Sequence, residues 1–267
     1  LSNFGIATMF CVMAALVIAK VFISSGLGYR ISLYITPLFG AKSSRVLLSL
    51  MLCGCLIASV LVDIPTAIIL AGIALPLLKE SGCGPGKSRY GKAVMIGIPI
   101  SAALGGIGTP AGSGLNILTI NLLNNVAGKN ITFMQWTAIG FPMAIILVLI
   151  AWFVIILVFK PEIDTVKGLD DIKSKRKELG PMSKNEKKFL VIFIIVMVMW
   201  FTQSMTGIET AFASLLAVCV FFLPGVDLMD WNTAKESISW DSVLLMGSAN
   251  ALAMILSTQG TAEWISN

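Results

Sequence analysis

GGIGTPAGSGLN, residues 105–116, decides the fold, because it interrupts an apolar run that extends from residue 93 to residue 123. A run of that length exceeds what one straight helix needs to cross the ~30 Å hydrocarbon core of a bilayer. Five glycines and one proline cannot continue an ordinary helix, since glycine lets the backbone leave helical geometry and proline lacks the required N–H. The sequence therefore predicts a helix that is broken at residues 105–116.

The residues of this break are suited to holding ions. A half-helix that begins near Ser113 would direct its positive end at an anion, and Thr109, Ser113 and Asn116 can hydrogen-bond to a carboxylate. The side-chain oxygens of Ser113 and Asn116 are also candidate ligands of a coupling cation. The alternative is close helix packing through small residues, which membrane helices commonly use. A phosphate-binding loop is excluded, because no Gly-Lys-Ser or Gly-Lys-Thr follows.

A second break is predicted at residues 62–66, inside the apolar run of residues 46–78. An Asp at the centre of a membrane helix costs about 2.5–3.5 kcal/mol, so such a residue usually faces a cavity. Pro65 removes a backbone donor and opens the helix, which exposes carbonyl oxygens and helix-dipole ends. We predict a cation site at Asp63, with the Thr66 hydroxyl beside it for cation or substrate. The alternative is a proline kink in which Asp63 lies near the interface or pairs with a lysine.

The composition is that of a membrane protein. Apolar residues make up 57% of the chain, charged residues 12%, and the mean hydropathy is +0.90. A soluble domain usually carries about 25% charged residues. Helices satisfy their own backbone hydrogen bonds in lipid, so repeated long apolar runs indicate a helical bundle. We predict an all-α membrane protein with discontinuous helices and further spans at residues 137–159, 189–206 and 208–223. A soluble protein with a buried helical core is disfavoured.

Charge and residue content exclude several functions. Nine of the 19 Lys and Arg lie in residues 160–188 together with six acids, which is typical of a solvated membrane loop and not of a nucleic-acid-binding face. The chain contains no histidine, which excludes His metal sites, His proton relays and Ser-His-Asp triads. The five cysteines lack metal-ligand spacing; they are Cys11, Cys53, Cys55, Cys83 and Cys219.

The two ends of the chain resemble each other. When Gly26 is set on Gly260, Ala19 aligns with Ala253 and Ile31 with Ile265, which is the pattern expected of inverted repeats. The first stretch is interrupted near Gly26 and favours a re-entrant hairpin. We expect the chain to be part of a longer protein, because it opens in apolar sequence and stops without a polar tail.

Together these features resemble the divalent anion:sodium symporter family, within the ion-transporter superfamily. Four stretches carry the resemblance in the family's order. They are its Ser-Asn-Thr helix at residues 60–76, its Gly-rich broken helix at 97–116, its entry to the second repeat at 182–188 and the start of its second hairpin at 240–247.

The resemblance implies an inverted-repeat secondary transporter with re-entrant hairpins, an elevator mechanism and a homodimeric scaffold. It implies small anionic substrates such as C4-dicarboxylates, citrate or sulfate, Na⁺ as the coupling ion, no cofactor and no enzymatic activity. The implied units are a first re-entrant hairpin, the broken helices of the transport domain, scaffold spans with the basic loop 160–188, and an interfacial helix with the start of the second hairpin. They cover residues 1–32, 44–123, 137–223 and 231–267.

The family's site motifs transfer to particular residues. Its Ser-Asn-Thr aligns with Val62, Asp63 and Ile64, so the substrate-binding Thr is absent and Thr66 is the nearest hydroxyl. Its Gly-Ser-Pro-Pro-Asn aligns with residues 112–116, which implies Gly112, Ser113 and Asn116, together with Asp63, as ligands of the coupling cation. In the second hairpin, the candidate site residues are Ser248 and Asn250.

Several alternatives stay open at this point. A proton-coupled carrier or an anion exchanger would use Asp63 as a titrating group. A channel would need a continuous polar pore, and a membrane enzyme would need paired catalytic groups. Span counting puts the basic loops 79–92 and 160–188 on one side, which indicates the cytoplasm. The family topology instead puts the first hairpin on the cytoplasmic side and these loops outside, and we expect that orientation. We expect a multi-pass protein of the cell membrane, the inner membrane in a bacterium, that contacts lipid and no nucleic acid.

Overall fold

The protein is a bundle of helices. The structure, a computed structural model, describes residues 7–84, 86, 88–126 and 130–259. In these ranges the repeating secondary structure is helical, and Lys42 and Thr165 form an isolated antiparallel bridge. The helices are α1 (Ala7–Ser25), α2 (Leu27–Ile35), α3 (Ser43–Ala58), α4 (Asp63–Glu80), α5 (Arg89–Gly105), α6 (Gly114–Val126), α7 (Phe133–Phe159), α8 (Leu169–Glu178), α9 (Lys184–Phe201), α10 (Gln203–Thr206), α11 (Thr210–Phe221), α12 (Trp231–Ser237) and α13 (Trp240–Thr258). The predicted all-α class is confirmed.

Helix α7 is long and apolar enough to cross a membrane by itself. Its 27 residues extend for about 40 Å, and only 17% of its most apolar stretch is buried within the chain. Thr132 begins the helix with a capping box, in which its hydroxyl accepts the amide of Gln135 and the Gln135 side chain accepts the amide of Thr132. By length and composition, α1 and α2 taken together are the second candidate span in the described ranges, bent by 69°.

Helices α3 and α4 form a hairpin whose outer ends meet the same segment. The amide of Ser43, at the start of α3, donates to Asp164 O at 2.9 Å. The amide of Lys167 donates to Ser81 Oγ, just after α4, also at 2.9 Å. In space, α3 therefore extends away from residues 160–168, the chain turns at residues 59–62, and α4 extends back toward residues 160–168. We call residues 160–168 the connector and residues 59–62 the tip.

The connector also holds the start of α5. The Glu162 carboxylate accepts hydrogen bonds from the Ser88 hydroxyl and, at 2.8 Å, from the Tyr90 amide. Partial desolvation would raise the pKa of Glu162, but these hydrogen bonds outweigh it and hold the pKa below its ordinary value of 4.5. The described residues of loops 79–92 and 160–188 thus lie at one end of the bundle, as span counting indicated.

The tip does not extend as far as Phe133, the first residue of α7. A Cβ built on Gly108 would lie 2.9 Å from Ser59 Cβ, and one built on Gly140 would lie 2.8 Å from Ile107 O. The tip is therefore level with Gly140, about 29 Å along α7 from Phe159 and about 10 Å short of the start of α7.

The second break lies at the tip, slightly earlier in the chain than the predicted residues 62–66. Helix α4 begins at Asp63, so Pro65 and Thr66 belong to its first turns. Proline is tolerated in the first turn, because the N–H that it lacks would have no partner there in any case. Pro65 therefore helps to begin α4 and does not open it.

A buried ion pair ties α2 to α9. Gly26 has φ +85° and separates α1 from α2, as the sequence predicted for this position. Arg30, 8% exposed, bonds Glu186 in bidentate fashion at 2.7 and 3.0 Å, and Glu186 also accepts the Ser183 amide at 2.6 Å. Arg30 donates further to Gly180 O at 2.9 Å. A first re-entrant hairpin at residues 1–32, which the family resemblance implied, stays a prediction.

The remaining helices follow the predicted spans with small differences. The predicted span 189–206 is divided between α9 and α10, and the basic loop 160–188 contains α8. Phe133 of α7 stacks on Trp200 of α9 at 5.2 Å, which joins these helices at the end opposite the connector. The predicted interfacial segment contains α12. The predicted repeat match at Gly260 and Ile265 lies outside the described residues.

Candidate functional site

The two helix breaks pack directly against each other. The Thr109 hydroxyl, in the Gly-rich break, donates to Ser59 O at the tip. A Cβ built on Gly112 would lie 2.8 Å from Ala58 O and 2.6 Å from Gly106 O. Ordinary contact of such an atom begins at 3.4 Å, so only glycine allows this approach. The sequence predicted both breaks, and the structure brings them together.

Asn116 fixes the path of the Gly-rich break. Its side-chain amide Nδ2 donates to Gly106 O at 2.7 Å and to Thr109 O at 2.8 Å, and the residue is 8% exposed. Both partners are carbonyl oxygens, which only accept hydrogen bonds, so the side-chain atom that contacts them is the amide nitrogen. The other amide atom is therefore the oxygen. Asn116 Oδ1 therefore remains as a hydrogen-bond acceptor next to the break.

Helix α6 begins at this break with polar groups of its own. Thr109 Oγ1 accepts the Ala111 amide at 3.2 Å, and Ser113 Oγ accepts the Leu115 amide at 3.3 Å. Ser113 has extended backbone, with φ −151° and ψ 137°, immediately before α6. Helix α4 begins directly after the tip, and the tip contacts Thr109. The positive ends of α4 and α6 therefore both lie where the Gly-rich break meets the tip, a contact that we call the crossing.

Asp63 lies at the edge of this crossing. It is the first residue of α4, and its Oδ1 accepts the Ile64 amide at 2.9 Å. A carboxylate there is stabilised by the positive helix end. Its side chain lines a 400 Å³ groove between α4 and α5 together with Ile68 and Pro99. Within the described ranges, no hydrogen bond joins Asp63 to Gly112, Ser113 or Asn116.

The other predicted site residues have local partners. Thr66 is buried in α4 and donates to Val62 O at 3.2 Å, which keeps its hydroxyl beside the tip. Ser248 is exposed and donates to Leu244 O at 2.8 Å within α13. Asn250 also lies in α13, and its side chain is outside the part of the chain that the structure describes.

Three residues of the crossing were not predicted. Ser59 supplies the carbonyl for Thr109, Trp136 donates from Nε1 to Ile107 O at 3.0 Å, and Gly140 brings α7 against Ile107. Their sequence signals are weak, because a serine, a tryptophan and a glycine in apolar helices have many roles. Only the pairing in space identifies them.

Comparison with known proteins assigns the family. A family model described as the sodium:sulfate symporter transmembrane region matches residues 1–267, the whole chain. The chain belongs to this family. The predicted resemblance to the divalent anion:sodium symporters is thereby confirmed. Since the sodium:sulfate symporter family consists of membrane transporters, the prediction that the chain is not an enzyme is confirmed as well.

The relatives are similar at low identity. The chain is 26% identical over 288 residues to a sodium-dependent dicarboxylate transporter of Staphylococcus saprophyticus, a match that covers 99% of the chain and 55% of the relative. It is 25% identical over 288 residues to the corresponding Staphylococcus aureus transporter, with the same coverage, and 24% identical over 270 residues to a membrane protein of Cupriavidus necator, at 99% and 52%. The chain spans about half the length of these relatives.

Proposed function

We propose that this chain forms part of a Na⁺-coupled secondary transporter for small anions of the dicarboxylate, tricarboxylate or sulfate type. The observation that carries the proposal is the contact between Thr109 and Ser59, which joins two helix breaks within a member of the sodium:sulfate symporter family. Broken helices at mid-depth provide both carbonyl oxygens for a cation and helix N-termini for an anion.

The cation is assigned to the oxygen atoms around the Gly-rich break. Carbonyl, hydroxyl and amide oxygens are the ligands that hard cations prefer, and the Gly112 carbonyl, Ser113 Oγ and Asn116 Oδ1 are of these types. Asp63 contributes negative charge from the edge of the crossing. The anion is assigned to the N-terminus of α6, with Thr109 and Thr66 as polar residues nearby.

We further propose that the hairpin of α3 and α4 is a re-entrant hairpin. The support is that the tip lies level with Gly140, about 10 Å along α7 from Phe133. The hairpin therefore turns back before it has followed the full length of α7. Na⁺ and substrate would reach the crossing from the side opposite the connector or past α4, and an elevator movement of this unit would expose it to each side in turn.

We propose the orientation that the basic residues indicate, in place of the expectation from the family topology that loops 79–92 and 160–188 lie outside. The described residues of loop 79–92 contain three Lys and Arg and residues 160–188 contain nine, whereas residues 130–132 and 202–209 at the other end contain none. Such an excess of Lys and Arg marks the cytoplasmic side. The hairpin of α3 and α4 would then enter from the cytoplasm of a multi-pass protein in the cell membrane, and the outward-facing surface of α7 is available to lipid or to the second copy of a homodimer.

The test is transport by the full-length protein in proteoliposomes. Succinate, citrate and sulfate uptake is measured under an inward Na⁺ gradient and, separately, under a pH gradient. We expect uptake of at least one anion to require Na⁺, and no uptake under either gradient would contradict the proposal.

A proton-coupled carrier or anion exchanger is the second candidate, favoured by the carboxylate of Asp63 at the crossing. The variant Asp63→Asn separates the two. Na⁺-driven uptake that persists in Asp63→Asn excludes the proton carrier, whereas uptake that follows the pH gradient and is lost in Asp63→Asn supports it.

A further inference from the structure

A large cavity lies at the connector end, away from the crossing of the breaks. It has a volume of about 1020 Å³ and opens between the end of α4 and the start of α5. Its walls are mainly apolar side chains and glycines, including Leu75, Leu78 and Met95, and Lys79 and Lys92 are also lining residues. Both lysines are exposed.

The nearby carboxylates are engaged elsewhere. Glu80, next to Lys79, lines a different cavity with Asp171 and Lys175. Glu162 is bound to Ser88 and the amide of Tyr90. Among the described residues, neither lysine of the cavity forms an ion pair. The cavity therefore combines apolar walls with two lysines that have no ion-pair partner in the described part of the chain.

The cavity continues into an apolar groove. Met95 lines both the cavity and the groove that extends between α4 and α5 as far as Asp63, and Ile68 is a groove residue that is 68% exposed. From Lys79 to Ile68 the distance along α4 is about 16 Å. That length matches the hydrocarbon depth of one leaflet, which is half of roughly 30 Å.

We propose that this cavity binds an anionic phospholipid of the cytoplasmic leaflet, with its phosphate at Lys79 and Lys92 and an acyl chain along the groove toward Ile68. A free small anion would make no apolar contacts with the walls, and an uncharged lipid would not neutralise the lysines. Basic pockets between membrane helices on the cytoplasmic side are suited to anionic headgroups. The site rests on the orientation given above and is independent of which anion is transported.

The test is native mass spectrometry of the full-length protein titrated with phosphatidylglycerol or phosphatidylcholine. We expect preferential retention of phosphatidylglycerol. The double variant Lys79→Gln/Lys92→Gln should weaken its binding about 30-fold, roughly fivefold per lysine. The matched control Lys177→Gln/Lys187→Gln removes two exposed charges from the same end and should change binding less than about threefold.

Further measurements distinguish an anionic phospholipid from other occupants of the cavity. Leu75→Trp fills the cavity without changing its charge and should weaken phosphatidylglycerol binding comparably. Equal retention of both lipids by the unmodified protein, as expected if another part of the protein fills the cavity, would overturn the proposal. So would displacement of the lipid by millimolar inorganic phosphate, which indicates a small-anion site, or full binding by Lys79→Gln/Lys92→Gln.

Discussion

The contact between the two helix breaks makes Gly112→Ala the most informative substitution. A methyl group there would meet Ala58 O at 2.8 Å and Gly106 O at 2.6 Å. Both neighbours are backbone atoms, so no side chain can rotate away. Restoring ordinary contact at 3.4 Å requires the Gly-rich break to move from the tip by about half an ångström or more. Overpacking of this kind costs about 1–3 kcal/mol.

The displacement acts on the proposed site more than on the fold. It lengthens the hydrogen bond from Thr109 to Ser59 O and shifts the oxygens assigned to the cation. Misplacement of binding groups by about 1 Å can cost on the order of 100-fold in rate. We therefore expect Gly112→Ala to lower Na⁺-dependent uptake by at least tenfold in proteoliposomes while the full-length protein still folds, as judged by thermal unfolding in detergent.

Gly72→Ala is the matched control, because a Cβ on Gly72 meets nothing within 4 Å and Gly72 lies inside α4. Alanine in a helix interior is favoured over glycine by about 0.8–1 kcal/mol, so Gly72→Ala should retain uptake and unfold at the same or a higher temperature. If Gly112→Ala transports within twofold of Gly72→Ala, the packing of the two breaks does not determine the site.

Three other predictions follow from described contacts. Thr109→Val removes the hydroxyl bonded to Ser59 O and should destabilise the protein by about 1–3 kcal/mol and reduce uptake, whereas Thr109→Ser should retain both; equal loss in both variants would contradict this role. Arg30→Met leaves Glu186 buried without its partner and should lower the free energy of unfolding by about 3–5 kcal/mol. The double variant Arg30→Met/Glu186→Met should recover much of this loss in thermal unfolding. If the losses of the two single variants simply add in the double variant, the two residues are not a coupled pair. Because the pKa of Glu162 is lowered in the folded state, its stabilisation is present above about pH 4.5 and is lost as the pH falls through the folded value. The melting temperature of Glu162→Gln should accordingly fall less between pH 6 and pH 4 than that of the unmodified protein, and identical falls would show that Glu162 makes no such contribution.

The helix breaks could be predicted because their cause is local. Five glycines and a proline in residues 105–116 prevent a regular helix wherever the segment lies in the fold. The exact place of the other break could not be predicted, since Pro65 is compatible both with opening a helix and with beginning one. Its position depends on the turn at residues 59–62, whose apolar sequence resembles that of the helix before it.

The partners at the site could not be predicted because they are distant in sequence. Thr109 pairs with a carbonyl 50 residues away, and Arg30 pairs with Glu186 at a separation of 156 residues. A single sequence does not reveal which charges meet, so the pairing of Arg30 with Glu186 could not be predicted. The contact at Gly140 likewise depends on how α7 packs against the Gly-rich break.

The hydrogen bonds of the connector limit how the bundle can rearrange. Residues 160–168 follow α7 without interruption, bond to the start of α3 and to the residue after α4, and cap α5 through Glu162. Trp152 adds a bond from α7 to Ser44 O at 2.8 Å. Any cycle that turns the tip toward the opposite compartment must therefore carry these four helices as one block, or sever and remake this anchorage at every turnover. Such a block would include α7, which lies outside residues 44–123, the part that the family resemblance assigned to the transport domain.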